Sequence, residues 1–177
     1  MTLAAVLCCA MTTTVFTACS SDDDDTKSGG SNMKYVVAMY FDFTLEQDLM
    51  NFFDVYCTFT NVKGEVQTVQ CTSLKNYYNQ TVDYDKAPDN YEFSIYAVPK
   101  KEIPTIDAEA TYHFKCEYSI NYGVRATDKP DEVLNTIIFQ LPRTDGLDVG
   151  GKKVLDYLEK HKEKLDVVKK HTGSKSK

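Results

Sequence analysis

Apolar and polar side chains alternate over residues 112–122, and this alternation is the most regular pattern in the chain. The apolar positions are Tyr112, Phe114, Cys116, Tyr118, Ile120 and Tyr122, and polar residues lie between them. Successive side chains of a β-strand point to opposite faces of its sheet. The pattern therefore predicts an antiparallel strand with one face in the core and the other in water.

Five further segments show the same period of two, at residues 35–43, 53–59, 69–71, 91–97 and 137–141. Turn-forming residues lie between them, at 61–64, 87–90 and 127–130. The first of these turns predicts a hairpin between about residues 53–61 and 65–72, in which Gly64 has a positive φ angle.

The predicted strands follow one another without an intervening amphipathic helix, which is typical of an all-β fold. Six or seven strands in roughly 110 residues predict an immunoglobulin-like antiparallel β-sandwich, and a small lipocalin-like barrel is the alternative. Residues 44–47, with the sequence TLEQ, are open to two interpretations. They form either a capping box for one or two helical turns through Phe52, or the loop between the first two strands.

The period changes near the C-terminus, after glycines at positions 146, 150 and 151. Side chains then recur at helical spacing, at Val154, Leu158, His161, Leu165 and Val168. This stripe predicts an amphipathic helix over residues 150–171, followed by a tail at 172–177. The stripe must be covered by the sandwich, by a second protein or by a lipid surface, and the glycine hinge permits all three.

The N-terminal segment has a different character, since residues 1–18 contain no charged side chain. Residues 3–18 are too short and too rich in threonine to span a hydrocarbon core of about 30 Å, and they fit the apolar region of a signal peptide. The sequence FTAC at residues 16–19 resembles a bacterial lipobox. This resemblance implies that Cys19 is lipidated on sulfur and becomes the mature N-terminus, anchored to a membrane by its acyl chains.

An acidic run follows the lipobox cysteine directly, comprising Ser20, Ser21, Asp22, Asp23, Asp24 and Asp25. In this position the run resembles the surface-export signal of Bacteroidota lipoproteins. The resemblance implies an outer-membrane location with the folded domain at the cell surface, and the periplasmic face is the alternative. Residues 26–33 extend the run as a flexible tether that contains glycine and serine.

Part of the following sequence resembles small, largely uncharacterised Bacteroidota lipoproteins, in the stretches DLMNFFDVYCTFTNVKGEVQ and APDNYEFSIYAVPK. This resemblance implies a β-sandwich and no specific activity. The predicted organisation is therefore a signal peptide (1–18), an anchor and tether (19–33), a sandwich (34–149) and the C-terminal helix (150–171) with its tail.

Charge limits the classes of partner. The net charge is −6, and residues 152–177 hold nine lysines against four acidic residues, so the remaining chain carries −11. An acidic chain repels nucleic acid, which argues against DNA or RNA as a partner. The basic C-terminal segment is either a solvated face or a contact for anionic lipid headgroups.

Three cysteines, Cys57, Cys71 and Cys116, lie at apolar positions of predicted strands, which predicts that they are buried. A hairpin loop of residues 63–65 places Cys57 opposite Cys71, whereas a loop that ends at Gly64 places Cys57 opposite Val69. Because export favours an oxidising environment, a disulfide between Cys57 and Cys71 is a candidate, and buried free thiols are the alternative.

The sequence offers little catalytic chemistry. It has three histidines and lacks the GxSxG, HExxH and P-loop motifs. We expect a non-catalytic protein without cofactor or bound metal. The predicted function is a binding or assembly module; the alternatives are a structural envelope component joined to a complex through its C-terminal helix, or a small hydrolase.

Tyrosines provide the best candidate for a binding site. Tyr77, Tyr78 and Tyr84 lie among asparagine and glutamine in what the pattern predicts to be a polar connection between strands. Such side chains can stack on sugar rings and hydrogen-bond their hydroxyls, which predicts a contact for a glycan or protein partner. Tyrosines that only cover the open end of the sandwich are the structural alternative.

Overall fold

The computed structural model describes residues 35–84 and 90–174, without the side chains of Tyr84, Arg125, residues 129–141 and Ser174. The predicted signal peptide, the lipidation site Cys19 and the acidic run at 20–25 lie outside these residues, as do residues 87–89 of one predicted turn.

Eight strands and two short helices make up the described part of the chain. In chain order they are β1 (Tyr35–Leu45), α1 (Gln47–Phe52), β2 (Phe53–Thr60), β3 (Val66–Cys71), β4 (Lys75–Tyr84), β5 (Asn90–Pro99), β6 (Thr111–Ala126), β7 (Lys129–Gly150), α2 (Val154–Lys160) and β8 (Leu165–Ser174). A 3-10 turn at Gly151–Lys153 leads into α2.

The strands form two antiparallel sheets of four strands each. Sheet 1 has the order β4-β1-β6-β7, and sheet 2 has the order β3-β2-β5-β8. No ladder joins the two sheets within the described residues, so the prediction of an immunoglobulin-like sandwich is confirmed and the barrel alternative is wrong.

The core lies between the two sheets and follows from the alternation in the sequence. Every second residue of β1 points inward, and Val37, Met39, Phe41, Phe43 and Leu45 are each at most 5% exposed. The ring of Phe41 packs against those of Phe59 and Phe93 on sheet 2, with centroids 5.0 and 5.4 Å away. Each such aromatic pair adds about 0.5–1.5 kcal/mol beyond the burial of its area.

The two helices close one end of the sandwich. In α1, Leu49 and Phe52 are spaced by three residues and are almost completely buried. Phe52 packs against Phe114 of β6 with centroids 5.6 Å apart, and Tyr157 of α2 packs on the same ring at 5.6 Å. The helical interpretation of residues 47–52 is therefore confirmed, but the capping box is wrong because the N-cap is Glu46 and no side chain caps the helix.

The hairpin between β2 and β3 forms as predicted, with Gly64 at a φ of 86°. The side-chain oxygen of Asn61 accepts hydrogen bonds from the backbone N–H groups of Lys63 and Glu65, at 2.9 and 3.0 Å. This turn pairs Cys57 with Val69, which is the register expected for a loop that ends at Gly64.

The structure has the buried free thiols and not the candidate disulfide between Cys57 and Cys71. Both residues are buried free thiols, as is Cys116. Cys71 lies opposite Val55 and is therefore diagonal to Cys57 on the neighbouring strand. Diagonal residues are farther apart than directly opposed ones, so the register does not favour the bond.

The C-terminal helix predicted over residues 150–171 is only partly correct. Helix α2 ends at Lys160, and residues 165–174 form strand β8, which pairs with β5. A register shift in this pairing lets the consecutive residues Val167 and Val168 both be buried. Residues 165–174 form a strand rather than a helix because the strand completes the backbone hydrogen bonds of β5 and still buries the apolar side chains of the stripe.

Two further strands differ from the prediction. Residues 75–84, expected to be a connection, form strand β4 at the edge of sheet 1. The last predicted strand, 137–141, is part of β7, which continues through Pro142. Proline is tolerated there because β7 is an edge strand and its register with β6 shifts between Tyr118 and Ile120.

Candidate ligand-binding face

The outer face of sheet 1 carries a regular grid of small and polar side chains around two tyrosines. Strand pairing aligns three rows across β4, β1 and β6. The rows are Tyr77, Asp42 and Ser119; Asn79, Tyr40 and Asn121; and Thr81, Ala38 and Gly123. We call these nine residues the tyrosine face. Asp42 is its single charged member.

Tyr40 and Tyr77 are the aromatic part of the tyrosine face. Their ring centroids are 5.5 Å apart and their planes meet at 79°, and the side chain of Tyr77 is 62% exposed. The side-chain amide of Asn79 donates a hydrogen bond of 3.1 Å to the Tyr77 hydroxyl. The exposed ring is therefore held in place by two neighbours, which lowers the entropy lost when a ligand stacks on it.

The three tyrosines of the predicted binding site do not form one site. Tyr78 points to the other side of β4, where its ring stacks on Phe41 at 5.1 Å and its hydroxyl donates to the side-chain oxygen of Gln80 at 2.5 Å. Burial raises the pKa of Tyr78. Tyr84 is the last residue of β4, opposite Tyr35, and its side chain lies outside the described part. Of the three predicted tyrosines, Tyr77 alone is placed on the tyrosine face.

The polar groups of the tyrosine face can both donate and accept hydrogen bonds. The amides of Asn79 and Asn121 offer donors and acceptors, and the carboxylate of Asp42 accepts. A Cβ atom added at Gly123 would meet nothing within 4 Å, so the third row leaves open space beside the aromatic pair. Asp42 is thus the one charged side chain within the tyrosine face, and Lys75 and Glu117 lie in the next row across the same strands.

The outer face of sheet 2 also carries two tyrosines, but their arrangement differs. Tyr56 and Tyr96 stack almost parallel, at 5.1 Å and 16°, so each ring covers the other. The ammonium group of Lys164 lies 5.0 Å from the centroid of Tyr96. This pair is a useful comparison, because its two stacked tyrosines are half-buried, whereas Tyr77 is exposed.

A network of hydrogen bonds between three side chains connects strands β6, β7 and β8 between the two sheets. The hydroxyl of Tyr118 donates to Oδ2 of Asp145 at 3.0 Å and lies 3.0 Å from Nε2 of His171. Because the hydroxyl has one hydrogen, Nε2 of His171 is the donor in the second bond. Burial and the bond to Asp145 raise the pKa of Tyr118 to about 12. With this raised pKa the phenol stays protonated at neutral pH, and its two hydrogen bonds connect β6 with β7 and β8.

A cavity of about 320 Å³ lies next to this network, between β7, β8 and α2. An adjoining cavity of about 450 Å³ shares Leu147 and Tyr157 in its lining. Their walls contain carboxylates and lysines in similar number: Asp145, Asp148, Asp156 and Asp166 with Lys153, Lys160 and Lys169. This mixture favours no single ligand chemistry.

His113 lies at a polar position of β6 between two apolar residues and has a partner at the surface. Nδ1 of His113 lies 2.6 Å from Asp148, whose other oxygen accepts from Lys115 at 2.7 Å. The bond from Lys115, followed by that from His113, lowers the pKa of Asp148. These three side chains are solvated, and exposed ion pairs of this kind contribute little to stability.

The three buried cysteines have thiols of low reactivity. Burial raises the pKa of Cys71 to about 11, opposed by a hydrogen bond from the backbone of Cys57. Burial, followed by repulsion from Cys71, also raises the pKa values of Cys57 and Cys116. The thiolate is the form that binds metals and attacks electrophiles, so these residues stay in the unreactive form at neutral pH. Among the described residues no cluster of histidine, cysteine and carboxylate side chains could hold a metal ion.

Several lysines of the basic C-terminal segment lie next to carboxylates. Four of its lysines form ion pairs: Lys152 with Glu109, Lys162 with Glu159, Lys164 with Asp166 and Lys170 with Glu92. These pairs favour the interpretation of a solvated face over a contact for anionic lipid. Neither of the described helices has the length and apolar character needed to cross a membrane.

Sequence reasoning missed Tyr40, the second ring of the tyrosine face. The signal was present, because Tyr40 occupies a position in β1 that the alternation assigns to the solvent side. Its link to Tyr77 could not be found without the pairing of β1 with β4. Comparisons with known proteins add no identification: no protein-family model, no curated protein and no solved structure matches this chain.

Proposed function

We propose that this chain is a lipid-anchored outer-membrane protein displayed at the cell surface, whose sandwich is a non-catalytic module that binds glycans through the tyrosine face. The anchoring part of the proposal rests on the resemblance of residues 16–25 to a lipobox followed by an export signal. The binding part rests on the geometry of sheet 1.

The observation that carries the binding proposal is the exposed ring of Tyr77, held by Tyr40 and Asn79 among amide and hydroxyl groups with Asp42 as the one charged member of the face. The carbon-bound hydrogens of a sugar ring pack well on an aromatic face, and its hydroxyls need both donors and acceptors at the rim. A flat, polar face suits a glycan better than an apolar peptide side chain, which needs a pocket.

The alternative of assembly through the C-terminal helix has less support. Four of the five residues of the predicted stripe, Val154, Leu158, Leu165 and Val168, are at most 8% exposed and belong to the core of the sandwich itself. The sandwich itself therefore covers the apolar stripe, rather than a second protein or a lipid surface.

A glycan array tests the binding proposal. The full chain should bind a subset of neutral glycans, and Tyr77→Ala should weaken that binding about tenfold or more, because a stacked aromatic ring contributes about 0.5–1.5 kcal/mol beyond its buried area. Tyr96→Ala on sheet 2 is the matched control and should bind as the unmodified protein does. No binding at all, or equal loss in both variants, would refute the proposal.

Cell fractionation tests the anchor separately. In a bacterial host that processes lipoproteins, the full chain should be found in the membrane fraction, and its mature N-terminal cysteine should carry acyl chains by mass spectrometry. Cys19→Ala should move the protein to the soluble fraction, whereas Cys71→Ala should not. An unmodified Cys19 in membrane-bound protein would contradict lipid anchoring.

A further inference from the structure

Strand β4 is an edge strand without the usual protection against pairing with another chain. Its ten residues pair with β1 without a shift, from Tyr35 opposite Tyr84 to Thr44 opposite Lys75. The other edge of sheet 1, β7, has three register shifts, and edge strand β8 of sheet 2 has two. Native proteins protect edges with bulges, prolines, charges or short strands, and β4 has none of these along its middle.

Charges occur only near the two ends of this strand. Lys75 and Asp83 are separated by seven uncharged residues, and both side chains are exposed. Neither forms an ion pair with any other residue in the part of the chain that the structure describes. Among the described residues no strand pairs with the outer edge of β4, so its backbone groups and these two opposite charges can contact a partner strand.

We propose that β4 pairs antiparallel with β4 of a second copy of this chain, with Asn79 on the two-fold axis. In this register Lys75 of each copy lies opposite Asp83 of the other. A two-fold axis needs such a self-complementary edge. The resulting dimer has one continuous eight-stranded sheet.

In this register, side chains on the same face of the sheet lie opposite each other in the two copies. Residues related by the axis have the same parity, so Tyr77 lies opposite Thr81 of the second copy, and both stay on the outer face. Tyr78 lies opposite Gln80 of the second copy on the other face. A shift of two residues would instead place Lys75 opposite Thr81 and remove both charge pairs. A parallel arrangement would bring lysine against lysine.

The proposal does not depend on glycan binding, but it would affect it. Pairing along β4 places the two tyrosine faces side by side on one sheet, so a polymeric glycan could contact both. Two linked sites bind such a ligand more tightly than one, without any new contact within each site.

Sedimentation equilibrium of the full chain in a non-ionic detergent tests the pairing. Because the interface is a single strand edge, we expect a weak dimer that forms at roughly 10–100 µM. Lys75→Glu and Asp83→Lys should each weaken the dimer at least tenfold, since each places like charges opposite each other twice. The double variant K75E/D83K restores the opposite charges and should dimerise as the unmodified protein does.

The exposed edge strand β3 supplies the control. Val69 is 50% exposed there, and Val69→Lys should leave the dimer unchanged. Thermal unfolding by circular dichroism shows that each variant is folded. A monomeric unmodified protein, a dimer insensitive to both single substitutions, failure of the double variant to restore it, or a dimer lost only in Val69→Lys would each overturn the proposal.

Discussion

The hydroxyl of Tyr118 shows how a single polar group organises the interior of this sandwich. It lies on the central strand β6, and its partners Asp145 and His171 come from the edge strand of each sheet. Burial lowers the pKa of His171, and the Asp145 carboxylate opposes that shift. The histidine is therefore held in its neutral form, as a donor to the phenol oxygen.

This lowered pKa predicts a pH dependence of stability. The unfolded chain takes up a proton on His171 as the pH falls below about 6.5, whereas the folded chain does so at a lower pH. The unfolded state then binds more protons, so the free energy of unfolding should decrease between about pH 7 and pH 5. The decrease should be smaller in His171→Gln, measured by urea denaturation at several pH values. Equal pH profiles of the two proteins would contradict the role given to His171.

At the scale of elements, Gly146 determines how β7 passes β6. Its φ is 104°, and a Cβ atom there would collide with the carbonyl oxygen of Phe114. We predict that Gly146→Ala lowers the free energy of unfolding by about 1–3 kcal/mol, from backbone strain alone, and by more if β6 must move. Denaturant unfolding measures this loss.

Gly123 offers the matched control within the neighbouring strand. Nothing lies within 4 Å of a Cβ atom built at this position, and its φ is not in the left-handed region. Gly123→Ala should therefore leave stability unchanged or raise it slightly. Equal destabilisation by both substitutions would show that the geometry at Gly146 is not the cause.

The sequence predicts strands well where one face is buried and poorly where both faces are polar. Strands β1, β2, β5 and β6 follow from their alternation, since each places four or more apolar side chains in the core. The alternation does not predict strand β4, because its inward-facing positions include the polar residues Asn76 and Gln80. At the C-terminus Leu165 and Val168 have helical spacing, whereas Leu165 and Val167 have strand spacing, and pairing with β5 decides between the two. Such pairing is non-local and cannot be inferred from a single segment.

At the scale of the whole molecule, the basic side chains and the tyrosine face lie in different parts of the chain. Four of the C-terminal lysines form ion pairs, while the tyrosine face carries one carboxylate among nine residues. A face with little charge loses little hydration when a neutral ligand covers it. This arrangement agrees with a module that contacts neutral, hydroxyl-rich material rather than charged polymers.

The most direct test of this account is a titration of the isotope-labelled full chain with the strongest glycan from the array, followed by amide chemical shifts. We predict that the largest shifts occur at Tyr40, Tyr77, Asn79 and Asn121, while residues around the cavities beside α2 stay unchanged. Shifts concentrated at those cavities, or a spectrum that does not respond in sheet 1, would contradict the tyrosine face as the binding site.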